Sequence, residues 1–156
     1  MGVITISGCH GAVAVDFLDQ RGFSIPRIPD QIQERLRKRL SPSLRDIAGL
    51  NNPVDLTASA VDEDFVVCYD ELTNIPELDS LLMLVLPYSP GLSVDLGAKV
   101  SNPSSKRIKP LVAYMPHVEK YQMFIEGFEL NRVPVANSIE GAVMMLDGMR
   151  RYRPCY

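Results

Sequence analysis

The side chains best suited to chemistry in this sequence are Cys9, His10, Asp55 and His117, and the first two stand in a glycine-framed run, Ser7-Gly8-Cys9-His10-Gly11. A histidine titrating near neutrality can accept a phosphoryl group or act as a general base; the plain alternatives are an exposed turn residue for His10 and a helix cap for His117. A cysteine at a helix start is a candidate thiolate nucleophile, but no base and orienting partner accompany Cys9, which argues against a cysteine hydrolase. Cys9, His10 and His117 would need a further ligand to hold a metal, so no metal site is expected. Asp55 lies in a second loop, Gly49 to Thr57, and an aspartate after Asn-Pro is either a catalytic acid or a turn former. Asn52, Asp55 and His117 are accordingly the candidate site residues outside the glycine run.

The element that must position these groups is the segment from Gly2 to Gly22. Val3, Ile4 and Ile6, with β-branched Thr5 among them, read as a buried strand. From Ala12 the apolar positions Val13, Ala14, Phe17 and Leu18 recur at helical spacing until Gly22 offers a left-handed stop. Strand, glycine turn and helix form the geometry of a phosphate site. The first turn of a helix has N–H groups without intrahelical partners and carries about half a positive charge, so it favours an anion. Gly8, Cys9, His10 and Gly11 are therefore phosphate-binding candidates through backbone donors. The turn lacks the lysine and hydroxyl of a nucleotide P-loop and does not complete a dinucleotide-binding glycine pattern. The acidic residues of a response-regulator receiver are also missing, with Ser7-Gly8 in their place.

Along the rest of the chain, strands are expected at residues 3–6, 23–25, 81–86, 111–115 and 133–136, with residues 81–86 a continuous apolar run suited to a central strand. Helical patterns run from Ala12, from Asp30, from Asp62, over residues 92–100, over residues 118–128 and from Ser138, with Asp30, Asp62 and Ser138 as expected caps. The helix after Asp30 has a narrow apolar stripe of Ile32, Leu36 and Leu40, so its basic residues read as a solvated face. A polar connection is expected at residues 101–107. Strands alternating with helices demand parallel pairing. The expected fold is α/β, a three-layer α/β/α sandwich with a flavodoxin-like parallel sheet of strand order 2-1-3-4-5. Ligands of such sheets meet the carboxyl ends of the strands beside the point where strand order reverses. The glycine turn, residues 87–91 and Pro116-His117 would share that rim.

Length and composition bound the answer further. The 156 residues suit a single domain, 1–156, with 46% hydrophobic and 22% charged residues. A net charge of −3 argues against a general polyanion-binding surface, so no nucleic-acid partner is expected. Cys9, Cys68 and Cys155 form no CxxC pair, which points away from disulfides and structural zinc and toward a reducing cytoplasm. No apolar run is long enough to cross a bilayer, so no membrane is expected either. The chain starts almost on its first strand and stops just after its last helix, as a domain excised from a longer polypeptide would.

Val3-Ile4-Thr5-Ile6-Ser7-Gly8-Cys9-His10-Gly11, then Asn52-Pro53-Val54-Asp55-Leu56-Thr57, Lys109-Pro110-Leu111-Val112-Ala113, Val133-Pro134-Val135 and Arg150-Arg151-Tyr152-Arg153 follow in an order with a known counterpart. It resembles the second flavodoxin-like domain of the NDP-forming acyl-CoA synthetases, which include ADP-forming acetyl-CoA synthetases and succinyl-CoA synthetases. The Asn-Pro-Val-Asp-Leu-Thr run is the most distinctive part. The resemblance implies a ligase that joins an acid, CoA and a nucleoside triphosphate through an acyl phosphate and a phosphohistidine on a mobile loop. It implies that the glycine turn and the helix behind it help hold that phosphohistidine, and that the isolated domain is not catalytic. ATP or ADP, CoA and Mg would act through other domains, with none bound tightly here. CoA-binding, phosphohistidine and ATP-grasp domains, in cis or in trans, would be the partners, in a cytoplasmic protein that forms an oligomer. Where the family has glycine with proline or another small residue, this chain has Cys9-His10. That departure keeps open a non-catalytic regulatory or interaction module, such as the synthetase-like part of an acetyltransferase fusion. An independent small-molecule-binding flavodoxin-like protein is a third reading, although a hydroxyl-rich flavin phosphate loop is absent.

Overall fold

The computed structural model describes residues 1–101, 109–116 and 118–152. Five strands, β1 (Gly2–Thr5), β2 (Val54–Asp55), β3 (Leu81–Leu84), β4 (Leu111–Tyr114) and β5 (Val135–Ala136), form one sheet in the order β2-β1-β3-β4-β5. All four pairings are parallel. Thr5 stands beside Asp55 on one side and Leu84 on the other, Leu84 beside Tyr114, and Tyr114 beside Ala136. These five residues make one row across the carboxyl end of the sheet.

The helices are α1 (Gly8–Gln20), α2 (Asp30–Arg39), α3 (Asp62–Thr73), α4 (Leu96–Ser101), α5 (Gln122–Glu129) and α6 (Ile139–Arg151), with a 3-10 turn at Glu119–Tyr121 before α5. Alternate residues of the strands serve opposite faces, as the pleat requires. Val3, Leu82, Leu84 and Val112 share a core with Ala14 and Leu18 of α1 and with Ala142, Val143 and Leu146 of α6. Ile4, Met83 and Ala113 share the other with Leu36, Phe65, Leu72 and Phe128. Each Val, Leu, Ile, Met or Phe among them contributes about 1.5–3 kcal/mol on burial. The expected three-layer sandwich and strand order are thus present. Among the described residues no helix is long and apolar enough to cross a membrane.

Several expected boundaries move. The second strand is Val54–Asp55, not residues 23–25. Phe23 and Ile25 instead pack in an extended connection against the α1 and α6 core, because Pro26 and Pro29 leave that segment short of ladder donors. Helix α1 begins at Gly8, so the glycine run is the first turn of the helix itself and not a loop before Ala12. Asp30 and Asp62 lie inside their helices, after Pro29 and Val61. Asp62 is buried and accepts from Ser93 Oγ and Lys99 Nζ, while Asp64 accepts the Val61 N–H at 3.0 Å. The basic face of α2 is partnered: Arg35 and Arg39 donate to Glu71, and Arg39 also to Asp70, across to α3. Most of the polar connection at residues 101–107 lies outside the described residues.

Candidate functional site

Thr5 governs how the chain leaves β1. Its hydroxyl donates to the Ser7 carbonyl and accepts the Ser7 N–H, both at 3.0 Å. Ser7 then stands at the N-cap of α1 with extended backbone, φ −146° and ψ 116°, and its carbonyl accepts the Gly11 N–H at 3.0 Å. This is the backbone from which a serine hydroxyl ordinarily caps a helix. Here the hydroxyl oxygen lies 2.9 Å from His10 Nδ1 and makes no cap. No acidic residue occupies the first turn. Among the described residues, the N–H groups of Gly8, Cys9 and His10 find no protein acceptor. The positive end of α1 is therefore bare at the carboxyl rim of the sheet.

Two further groups frame it. The His10 ring stacks on Tyr114 of β4, with centroids 5.8 Å apart and planes 29° apart. Burial raises the pKa of the Tyr114 phenol, and neighbouring Tyr88 adds to the rise. On the other flank, Asp55 Oδ1 accepts the Thr57 N–H at 2.9 Å, and Oδ2 lies 3.2 Å from where a Cβ on Gly8 would stand. Thr57 holds the loop in a left-handed conformation, φ 60°. Gly8, Cys9, His10, Asp55 and Tyr114 thus bring backbone donors, an imidazole and a carboxylate together around the start of α1.

No family model matches the chain. Over 94 residues, 60% of its length, it is 31% identical to the alpha subunit of the ADP-forming acetate–CoA ligase II of Pyrococcus furiosus, of which it spans 20%. The chain is thus similar to part of an ADP-forming acetate–CoA ligase subunit. It superposes on the structure of PH0766 from Pyrococcus horikoshii with a TM-score of 0.81 at 23% identity, covering 96% of this chain and 34% of that one. It superposes on the dinucleotide-forming acetyl-coenzyme A synthetase 1 of Candidatus Korarchaeum cryptofilum, in its apo form and in complex with phosphate and ADP. The TM-score there is 0.77 at 17% identity, over 96% of this chain and 32% of that one. At these identities the superpositions establish the fold. The chain spans a fifth of the curated relative and about a third of the solved structures.

Not every candidate residue reaches the α1 terminus. Gly11 is buried, its N–H is taken by Ser7, and a Cβ on it would lie 3.2 Å from Thr5 Cγ2 and 3.4 Å from Pro53 Cβ. It allows α1 to lie close on the strands, and its N–H is not among the unpaired ones of the first turn. Asn52 is consumed elsewhere: Oδ1 accepts the Val3 N–H at 3.0 Å, and Nδ2 donates to the carbonyls of Met1 and Pro26 at 2.9 Å. His117 and Cys155 lie outside the described residues. Cys9 is exposed, whereas Cys68 is buried and its thiol pKa is pushed well up by desolvation. Among the described residues no three histidine, cysteine or acidic side chains are placed to hold a metal. A hollow of about 360 Å³ beside Met1, Phe23, Ser80 and Arg150 lies at the opposite end of the strands. Another of about 390 Å³ lies between α5, β5 and α6. Gly8 and Cys9, at the α1 terminus, are exposed.

Proposed function

We propose that this chain acts as the phosphoryl-stabilising flavodoxin-like domain of an NDP-forming acyl-CoA synthetase. The observation that carries the reading is the uncapped start of α1, where Gly8, Cys9 and His10 turn three N–H groups to the carboxyl rim while Ser7 is engaged by His10. A phosphoryl group carried on a histidine of another domain would be held there by the three donors and the helix dipole. Asp55, beside Gly8, would accept the ring N–H of that incoming imidazole and so favour the phosphorylated form. The chain would supply charge stabilisation and orientation. Formation of acyl phosphate and of acyl-CoA, with ATP or ADP, Mg and CoA, would belong to the CoA-binding, phosphohistidine and ATP-grasp domains, in one cytoplasmic polypeptide or in separate subunits. The sequence similarity to the Pyrococcus furiosus ligase subunit supports this assignment.

The test is an amide titration of the isotopically labelled chain with inorganic phosphate and with a peptide bearing a stable phosphohistidine analogue. The amides of Gly8, Cys9 and His10 are expected to shift together, more strongly with the peptide. Shifts elsewhere, or none at these three, would overturn the reading. A second reading draws on Asp55, which already brings a negative charge to Gly8, and on the stacked His10 that occupies the rim. Both features suit a non-catalytic interaction module, and silence of the three amides in a folded chain would support it.

A further inference from the structure

The loop that leaves β3 holds one residue out to solvent and buries its neighbours. Tyr88 is 61% exposed, whereas Ser89 is 5% exposed and Pro87 is buried. The loop is fixed at several points. Ser89 Oγ donates to the Ala58 carbonyl at 2.7 Å, and Ser93 donates through its N–H and its Oγ to buried Asp62. Gly91 fits against the Ala60 carbonyl, where a Cβ would come within 2.4 Å of the oxygen. These contacts bolt the loop to residues 58–62, which continue the chain from Asp55 and Thr57. An exposed tyrosine on a backbone so fixed offers a large contact face at small entropic cost.

The same loop stands beside the start of α1. In the carboxyl row of the sheet, Leu84 lies between Thr5, which leads into α1, and Tyr114, on which His10 stacks. The Val85 N–H donates to the Tyr114 carbonyl at 2.9 Å, so the loop rises between the start of α1 and the end of β4. Tyr88 is near enough to Tyr114 for its charge to oppose ionisation of the Tyr114 phenol. Tyr114 already gives a face to His10, whereas among the described residues no ring stacks on Tyr88. The start of α1 therefore has the Asp55 carboxylate on its β2 side and an uncovered aromatic ring on the other.

We infer that Tyr88 lays its ring against the imidazole of the incoming phosphohistidine and so selects that group over phosphorylated side chains that have no ring. This selection rests on the phosphoryl-stabilising role proposed for α1 and supplies what that role lacks, since backbone donors and a helix dipole hold any phosphoryl group alike. Asp55 offers the imidazole N–H an acceptor, and Tyr88 offers the imidazole face a partner; a phosphoserine can use neither. Stacking of one such ring pair changes an affinity by a factor of about five.

Titration of the isotopically labelled 156-residue chain with two peptides of one sequence, one bearing the phosphohistidine analogue and one bearing phosphoserine, tests it. The Gly8, Cys9 and His10 amides are the readout. The parent chain should prefer the analogue peptide. In Tyr88→Ala the ratio of the two affinities should fall about fivefold, and Tyr88→Phe, which keeps the ring, should retain it. Tyr88 is exposed, so both variants keep the fold, which their amide spectra check. A ratio unchanged in Tyr88→Ala, or lost equally in Tyr88→Phe, would overturn the inference and leave the phosphoryl role of α1 standing. Silence of the three amides toward both peptides and toward inorganic phosphate would overturn that role, and the inference with it.

Discussion

The Ser7 hydroxyl oxygen lies 2.9 Å from Nδ1 of His10, three residues along the same helix, and this contact removes the serine from the capping role for which its backbone is set. The two ends of the chain can therefore be compared directly. Ser138, at the N-cap of α6, accepts the Gly141 N–H at 3.0 Å. Ser138→Ala should cost about 1 kcal/mol in urea unfolding, and Ser7→Ala less than about 0.5 kcal/mol. His10→Ala should release Ser7 to cap α1 and so weaken the response of the backbone amides at positions 9 and 10 to phosphate. An unchanged response would show that the imidazole does not keep the helix start open.

Asp55 brings negative charge to the same helix start. Asp55→Asn keeps an oxygen for the Thr57 N–H but removes the charge. Free phosphate should bind several-fold more tightly to this variant, because a like charge is gone. If Asp55 receives the ring N–H of a phosphohistidine, the gain should be smaller with the phosphohistidine-analogue peptide than with phosphate. Equal gains would remove that role from Asp55.

Gly11 gives a test of packing against binding. A Cβ there would stand 3.2 Å from Thr5 Cγ2, and a valine would press further into β1 and Pro53. Gly11→Ala should destabilise the fold by about 1 kcal/mol and Gly11→Val by about 3 kcal/mol, in the range of overpacked cores. Denaturant midpoints measure this, and a Gly11→Val chain as stable as the parent would contradict the close approach.

Acid stability should depend on Asp147. This carboxyl accepts from Arg150 and Arg151 and lies 3.5 Å from Arg21. Its pKa is lowered from the ordinary 3.8, chiefly by the bond from Arg151 and further by Arg150. A depressed folded-state pKa means the stabilisation is fully present above 3.8 and is lost as pH falls through the lower value in the fold. Thermal midpoints between pH 5 and about 2 should therefore fall less steeply in Asp147→Asn than in the parent, from a lower starting point. Parallel curves would exclude the linkage.

The sheet was legible because its central strands are buried on both faces: Leu81 to Leu84 have no polar position to hide, and crossovers of helical length leave only parallel pairing. The second strand was not, because β2 has two residues and draws its register from pairing with Ile4 and Thr5, not from any pattern of its own. At the candidate site, Gly8 and Gly11 have the same residue type and opposite settings, one exposed and one buried. Only the approach of Thr5 and Pro53 to Gly11 separates them. Tyr114 was missed as a partner of His10, since a tyrosine closing an apolar strand reads as ordinary core until the parallel register sets it on the rim. The pairing of Arg35 and Arg39 with Glu71 was hidden for a similar reason: charge on a helix reads as solvated until a second helix brings its acids alongside.

The Asn52 amide behaves as a piece of borrowed main chain. Through one side chain it gives β1 an acceptor for Val3 and a donor for Met1, and it ties Pro26 to the same point. Three stretches of polypeptide separated by some 25 residues each therefore share a single latch, set beside an edge of the sheet that two-residue β2 alone would leave loosely guarded.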